Sequence, residues 1–545
     1  MEKDKLMRKN SFIKGALFVT LGIVITKILG ILYVIPFHAL IGEKGGALYG
    51  YAYTIYVFFI SLSTAGIPLA ISKLVSEYNT MGNYDAKDRV FYLGKKISLI
   101  FGVICFIFLN IFASFFAKII LGDLSGGNTV SDVTLVIRII STAILIVPVI
   151  SIYRGYYQGH KFMEPYSLSQ VIEQLFRVLV IIIGSFFVLK VFKLSLTTAV
   201  GVAVFGATIG ALVAYIYLVT KMINNKAKFK GSAPKIKIPV SDKELVRKIF
   251  YYAIPLILID ISKSIYSFID TFSVVNGLVN YANYSVSEAE TIMSMFSTWA
   301  TKFNMIISSV ATGIVVSLVP NLTQSIISKN EQDINSKVNQ AIGVCLYLTI
   351  PMVFGISFLS RPLWTLFYGY SDVGPSLLAY FIFTGLASSL FTVIITIIHL
   401  FKDNKILVIS LFAGVIIKLL FNVPLISSFY RRGFSAYYGV ISATIFGYLV
   451  SIVISLVYLN KKSNINFERL VSNFFDILCG SIIMLFALFI LKFLIPLNLN
   501  GRLINFLVII IYSVIGAVVY FFSTYKFKTI DKLFGKAFIN KIIKR

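Results

Sequence analysis

Ionisable side chains set inside long apolar runs are the residues of this sequence equipped for chemistry. Lys27 stands in ITKILGILYVIPF, Lys73 in STAGIPLAISKLVSEY and Lys302 in MFSTWATKFNMIISS, while Asp260, Lys263 and Asp270 share IPLILIDISKSIYSFIDTF. A charge at mid-bilayer costs about 2.5 to 3.5 kcal/mol on insertion scales, so each of these groups calls for a partner, water or a ligand. Among them lysines outnumber carboxylates, and a desolvated ammonium group is stabilised when a bound anion supplies the missing charge. The chemistry implied is electrostatic recognition of an anion such as a phosphate or diphosphate. Lys27, Lys73, Lys263 and Lys302 are the candidate substrate-binding residues.

Asp260, Lys263 and Asp270 are spaced by three and seven, which places them on one helical face. Asp260 and Asp270 are candidates for binding or carrying a coupling ion, proton or sodium; a static pairing with Lys263 is the competing reading. Gln170, Glu173, Gln174 and Arg177 form a polar stripe, in which Glu173 and Arg177 make a favourable i, i+4 pair of structural or cavity-lining character. Lys73 near the end of its run has snorkelling as its plain alternative, and Lys418 beside Asn422 and Pro424 is a further, weaker candidate together with His399. His38, His160 and His399 lack ligand spacing, and Cys105, Cys345 and Cys479 are scattered through apolar runs, so neither a metal site nor a disulfide framework is expected. No Walker-type phosphate loop is present, so no nucleotide cofactor is expected and an ion gradient or the membrane potential supplies the drive.

The elements that carry these residues follow from composition. The chain has 545 residues, 58% hydrophobic and 13% charged, where a soluble domain is about half apolar and a quarter charged. An ordinary water-soluble enzyme is excluded, and continuous runs such as FLVIIIYSVIGAVVYFF are too long and unalternating for barrel strands. The expected fold is an all-α polytopic membrane protein with about fourteen transmembrane helices. Its divisions are a six-helix lobe over residues 1–221, a basic linker over 222–248, a second six-helix lobe over 249–460, and two further helices with a basic tail over 461–545. Two lobes facing a central cavity are the arrangement transporters use for alternating access. The net charge of +27 is concentrated in the linker, in the segment after the second span and in the tail. On the positive-inside rule that distribution puts both termini on the cytoplasmic side, next to anionic lipids, and argues against a nucleic-acid partner.

Three segments carry a resemblance over essentially the whole chain. TKILGILYVIPFHALIG, GALYGYAYTIYVFFISLSTAGIPLAISKLVSEYN and YRGYYQGHKFMEPYSLSQVIEQLFRV are similar to the stage V sporulation protein B group of MurJ-like lipid flippases, within the multidrug/oligosaccharidyl-lipid/polysaccharide exporter superfamily. The resemblance implies two six-helix lobes around a cavity lined by cations from the first, second and eighth helices. It also implies transport of an undecaprenyl-diphosphate-linked sugar, most of all the peptidoglycan precursor lipid II, from the inner to the outer leaflet of the bacterial cytoplasmic membrane; cell-wall polymerases are candidate partners. Lys27 falls on the family's basic position in the first helix, and Lys302 on or within a residue or two of the one in the eighth. A second basic position of the first helix is occupied here by Tyr33 and Val34, and the middle of the second helix has no cation, which leaves Lys73 as the candidate substitute.

The function expected is thus a flippase in cell-wall polysaccharide biosynthesis or sporulation, not an enzyme. The alternatives are a flippase for another undecaprenyl-linked polysaccharide or a drug/cation antiporter of the same superfamily, which would require a carboxylate-dominated cavity. From a different class, a membrane-embedded enzyme of lipid-linked sugar assembly would require carboxylates or histidines clustered at helix ends, and no compact set of that kind is present.

Overall fold

A computed structural model describes residues 22–64, 66–122, 126–225, 229, 239–463, 465–497 and 501–534. The charged leader, part of the first expected span, most of the basic linker and the end of the tail lie outside these residues. The described chain is helical and contains no strand. In hydrocarbon each backbone N–H and C=O must be paired within its own segment, and helices built from continuous apolar sequence do this. Twelve helices are long and apolar enough to cross a membrane among the described residues. Of the other expected spans, the first is represented by the short apolar helix Gly22–Leu32, and the seventh by a 41-residue helix that carries Asp260, Lys263 and Asp270. The chain is a multi-pass membrane protein of all-α class.

Two compact units are formed, Met1–Asn276 with Ser285–Thr298, and Gly277–Tyr284 with Trp299–Arg545. In the first, α1 (Gly22–Leu32) leads into α2 (Val34–Thr64), which is kinked where Gly42 adopts φ 60°. Gly66, at φ 73°, starts α3 (Ile67–Thr80), and a Cβ there would lie 2.5 Å from the Ala253 carbonyl oxygen, so only glycine fits. Asn83 caps α4 (Tyr84–Leu121), and a Thr129–Asp132 capping box opens α5 (Val130–Ser141). Then come α6 (Ala143–Gly159), α7 (Met163–Leu179), α8 (Leu196–Asn224), α9 (Asp242–Ala282) and α10 (Val286–Ser294). Two π-helical turns, Val180–Gly184 and Phe187–Val191, extend α7.

Ile104, Ile107, Ile111 and Phe115 of α4 are exposed at three- and four-residue spacing, the pattern of a lipid-facing stripe. The N-terminal turns of α4 contribute Val90 to a core in which Ile71, Leu74, Tyr157, Leu218 and Ile249 are buried with it. The first part of α9 runs along this unit: Ser264 and Ser61 share a 2.9 Å hydrogen bond, and Phe268 stacks on Phe58.

In the second unit α11 (Thr301–Ile327) follows a π turn at Met295–Trp299, within which the chain passes from one unit to the other. It is followed by α12 (Glu331–Phe358), α13 (Ser360–Tyr368), α14 (Gly374–Leu400), α15 (Asn404–Arg431) and α16 (Tyr437–Ser463). The final helices α17 (Glu468–Leu494), α18 (Arg502–Lys526) and α19 (Thr529–Phe534) are tied to α12. Tyr520 donates to the Tyr347 carbonyl at 2.8 Å, and Gln340 to the Leu533 carbonyl at 2.7 Å.

Candidate functional site

The first unit holds most of the expected residues. Lys27 sits on α1, half-buried, where Gly22 brings this helix against Ser167 of α7. On α9, Asp260 is exposed and Lys263 and Asp270 are half-buried. The best-defined charged centre is built around Glu173 on α7. Arg177, one turn on, donates to its Oε1 at 2.6 Å, and Arg154 of α6 donates to its Oε2 at 2.8 Å. Arg154 also donates to Ser169 Oγ at 2.9 Å. The Glu173–Arg177 spacing anticipates one half of this triad. Arg154 escapes a reading of spacing, because nothing in YRGYYQG shows that α6 lies beside α7.

The triad is placed by close helix packing. A Cβ on Gly210 would lie 2.4 Å from the Glu173 carbonyl oxygen, so α8 approaches α7 backbone to side through a residue with no side chain. Side-chain exposures of 15%, 13% and 14% for Arg154, Glu173 and Arg177 put two guanidinium groups and one carboxylate out of bulk water, with a surplus positive charge. The Nε–H of Arg177 is buried without a hydrogen-bond partner. Tyr49 and Tyr53 of α2 stack beside it, and with Tyr56 lie within electrostatic reach of Arg177.

Lys73 does not extend into this centre. It is exposed on α3, with its ammonium 3.7 Å from the centre of the Tyr252 ring, and it lines a separate cleft with Lys161. Lys302 belongs to the second unit, half-buried three residues after the π turn, near the 2.8 Å hydrogen bond from Asn304 to Thr384. Lys418, also in the second unit, is fully buried and donates to Asn422 Oδ1 at 2.9 Å, the Val440 carbonyl at 3.2 Å and Thr444 Oγ1 at 2.7 Å. Its ammonium group ties α15 to α16.

Two titratable groups outside the spans are strongly perturbed. Hydrogen bonds from Lys462 and Tyr458 hold Asp403, at the start of α15, down to about 2. His160, in the turn after α6, packs against Tyr156, Phe162 and Phe229, and burial, reinforced by the Lys87 charge, pushes it down to about 4. Among the described residues no group of three His, Cys, Asp or Glu side chains is placed to hold a metal ion.

Residues 12–326 match the family described as polysaccharide biosynthesis protein. Over 539 residues the chain is 33% identical to the lipid II flippase MurJ of Bacillus subtilis (strain 168), covering 97% of each. The chain belongs to the polysaccharide biosynthesis protein family. The expected resemblance to MurJ-like proteins is thereby borne out. Among solved structures, a lipid II flippase MurJ in an inward closed conformation superposes with a TM-score of 0.68 at 16% identity, covering 94% of this chain and 99% of that one. A multidrug resistance MATE family transporter of the MOP superfamily, inward-facing, gives a TM-score of 0.64 at 14% identity, covering 80% of this chain and 94% of the other. This family member therefore has the fold shared by MurJ and MATE transporters.

Proposed function

We propose that the protein is a lipid II flippase, moving an undecaprenyl-diphosphate-linked sugar from the inner to the outer leaflet of the bacterial cytoplasmic membrane. The single observation that carries this reading is 33% identity, sustained over 97% of both chains, to a lipid II flippase. The chemistry of the interior agrees with it. A drug/cation antiporter would bind its cargo through carboxylates, whereas the buried triad of the first unit sets two arginines against one glutamate and Lys27 adds a further cation; Lys263 is balanced on its own helix by Asp260 and Asp270. In this reading Lys27, Lys263 and Lys302 attract the diphosphate while the prenyl tail stays in lipid, and the lobes 1–221 and 249–460 alternate its access. Asp260 and Asp270 are the candidates for the coupling ion, proton or sodium. Both termini lie on the cytoplasmic side, where the basic segments meet anionic lipids.

Reconstitution into liposomes with labelled lipid II tests this, with headgroup accessibility followed on each leaflet. The parent is expected to transfer lipid II faster than protein-free liposomes. Lys27→Ala and Lys302→Ala, expressed at the parent level, are expected to slow transfer at least tenfold, the loss of one charge-assisted contact. No transfer by the parent would sink the function, and parental rates in both variants would remove these lysines from it.

A further inference from the structure

An open cleft of about 540 Å³ lies within the first unit, between the C-terminal half of α3 and the turn that follows α6. Three physical features coincide there. Ser72, Ser76 and Thr80 repeat every four residues along one stripe of α3; Thr80 donates to the Ser76 carbonyl at 2.8 Å, and Ser72 and Ser76 are the hydroxyls offered to the cleft. Lys73 and Lys161 flank the stripe against a single carboxylate, Glu77, so the lining retains a positive charge. The Lys73 ammonium, 3.7 Å from the centre of the Tyr252 ring, is held in place by the face of that ring. Lys161 is brought in because α6 ends in contact with α3: a Cβ on Gly159 would lie 2.7 Å from the Ser72 carbonyl oxygen, and the chain then turns through Lys161 at φ 62°.

The rim of the same cleft is apolar. Leu69 and Met81 line it at 50% and 47% exposure, one at each end of the hydroxyl stripe. Lysines and hydroxyls suit a phosphate, and an exposed leucine and methionine beside them suit an acyl or prenyl chain. We propose that this cleft is a binding site for the phosphate of a membrane lipid, distinct from the interior lysines Lys27, Lys263 and Lys302. The occupant is either a bulk anionic phospholipid or an isoprenoid diphosphate; both offer the same phosphate oxygens to Lys73 and Lys161. The site goes beyond the transport function, since it holds a lipid whether or not that lipid is moved.

The test is native mass spectrometry of the full-length protein in detergent, titrated separately with phosphatidylglycerol, undecaprenyl diphosphate and, as a lipid without phosphate, diacylglycerol. The parent is expected to bind one or both phosphate lipids in preference to diacylglycerol. Lys73→Gln/Lys161→Gln is expected to weaken that binding at least tenfold, since each lysine removed takes a charge-assisted hydrogen bond with it. Lys190→Gln/Lys193→Gln, which removes two exposed lysines outside the basic segments, leaves it unchanged. Loss confined to undecaprenyl diphosphate identifies the isoprenoid as occupant, and loss confined to phosphatidylglycerol, or shared by both, identifies bulk lipid. Equal affinity in the parent and Lys73→Gln/Lys161→Gln overturns the site, as does equal weakening in the control pair. Because no transport is measured, failure here leaves the flippase reading untouched, and a protein that does not flip lipid II still binds at the cleft.

Discussion

Glu173→Gln isolates what the buried triad contributes. Both arginines bond to oxygens of this one carboxylate, at 2.8 and 2.6 Å, so their bonded nitrogens lie within about 7 to 8 Å of each other, and at an effective dielectric near 20 their repulsion is about 2 kcal/mol. In the parent the carboxylate more than offsets it. A glutamine keeps one acceptor oxygen but turns an N–H₂ group toward the second guanidinium, so the repulsion is exposed and a charge-assisted bond is lost together. The expected cost is about 3 to 5 kcal/mol, the range found when a buried ion pair loses one partner. Arg177→Gln has a different consequence, because it leaves Arg154 and Glu173 as a neutral pair and should cost only about 1 to 2 kcal/mol. Heating detergent-solubilised protein and measuring the monodisperse fraction by fluorescence-detected size exclusion reads the order directly. Glu173→Gln should lower the midpoint by on the order of 10 °C, and Arg177→Gln by a few degrees. Equal losses in the two variants, or a Glu173→Gln midpoint matching the parent, would refute the view that the carboxylate's main task is to hold two cations together.

Gly210→Ala should destabilise by about 1 to 3 kcal/mol, because the added methyl meets the Glu173 carbonyl at 2.4 Å; a midpoint within a degree of the parent would show that α8 slides to accommodate it. Lys418→Met should cost about 2 kcal/mol in the same heat challenge by stripping a donor from Asn422 and Thr444, with the Val440 carbonyl still served by the Thr444 hydroxyl at 3.1 Å. His160 introduces a pH dependence. Its pKa is about 4 when folded and about 6.5 when unfolded, so between these values the unfolded chain binds more protons. The stability it contributes is therefore complete above pH 6.5 and is lost as pH falls toward 4. The full shift corresponds to about 3 kcal/mol, less after screening at this partly exposed turn. Thermal midpoints at pH 7.5 and pH 5 should converge in His160→Phe relative to the parent, and an unchanged difference would acquit the imidazole.

The apolar runs dictated the class of fold, because a segment of some 20 apolar residues has no stable alternative to a helix once it is in lipid. A glycine and a proline close together weaken a helix, and α3 begins at Ile67, between Gly66 and Pro68. The i, i+4 rule exposed Glu173 and Arg177, since both lie on one helix. It had no purchase on Arg154, which joins them from another helix, or on Lys161, which reaches Lys73 only through the turn after α6. Sequence spacing reports neighbours within a helix, and the choice of which helices pack is made by features such as Gly159 and Gly210 whose meaning depends on the partner. The π turns at Val180–Gly184 and Met295–Trp299 have no composition signal at all.

The case for an anionic cargo rests on which buried cations are already satisfied. Lys418 is fully buried, yet three oxygens surround its ammonium, so its charge stabilises the α15–α16 contact and gives no evidence about a ligand. The Arg154–Glu173–Arg177 triad is different, because one carboxylate answers two guanidinium groups and the Arg177 Nε–H finds no acceptor. The triad leaves one positive charge over, which favours a visiting anion, whereas the buried Glu290 of the same unit is already answered by hydrogen bonds from Tyr51 and Asn128. Removing Lys418 should therefore weaken the fold without changing which headgroups are recognised. Arg177→Gln, which costs the fold about 1 to 2 kcal/mol, should in addition reduce the affinity for a diphosphate relative to an uncharged sugar lipid.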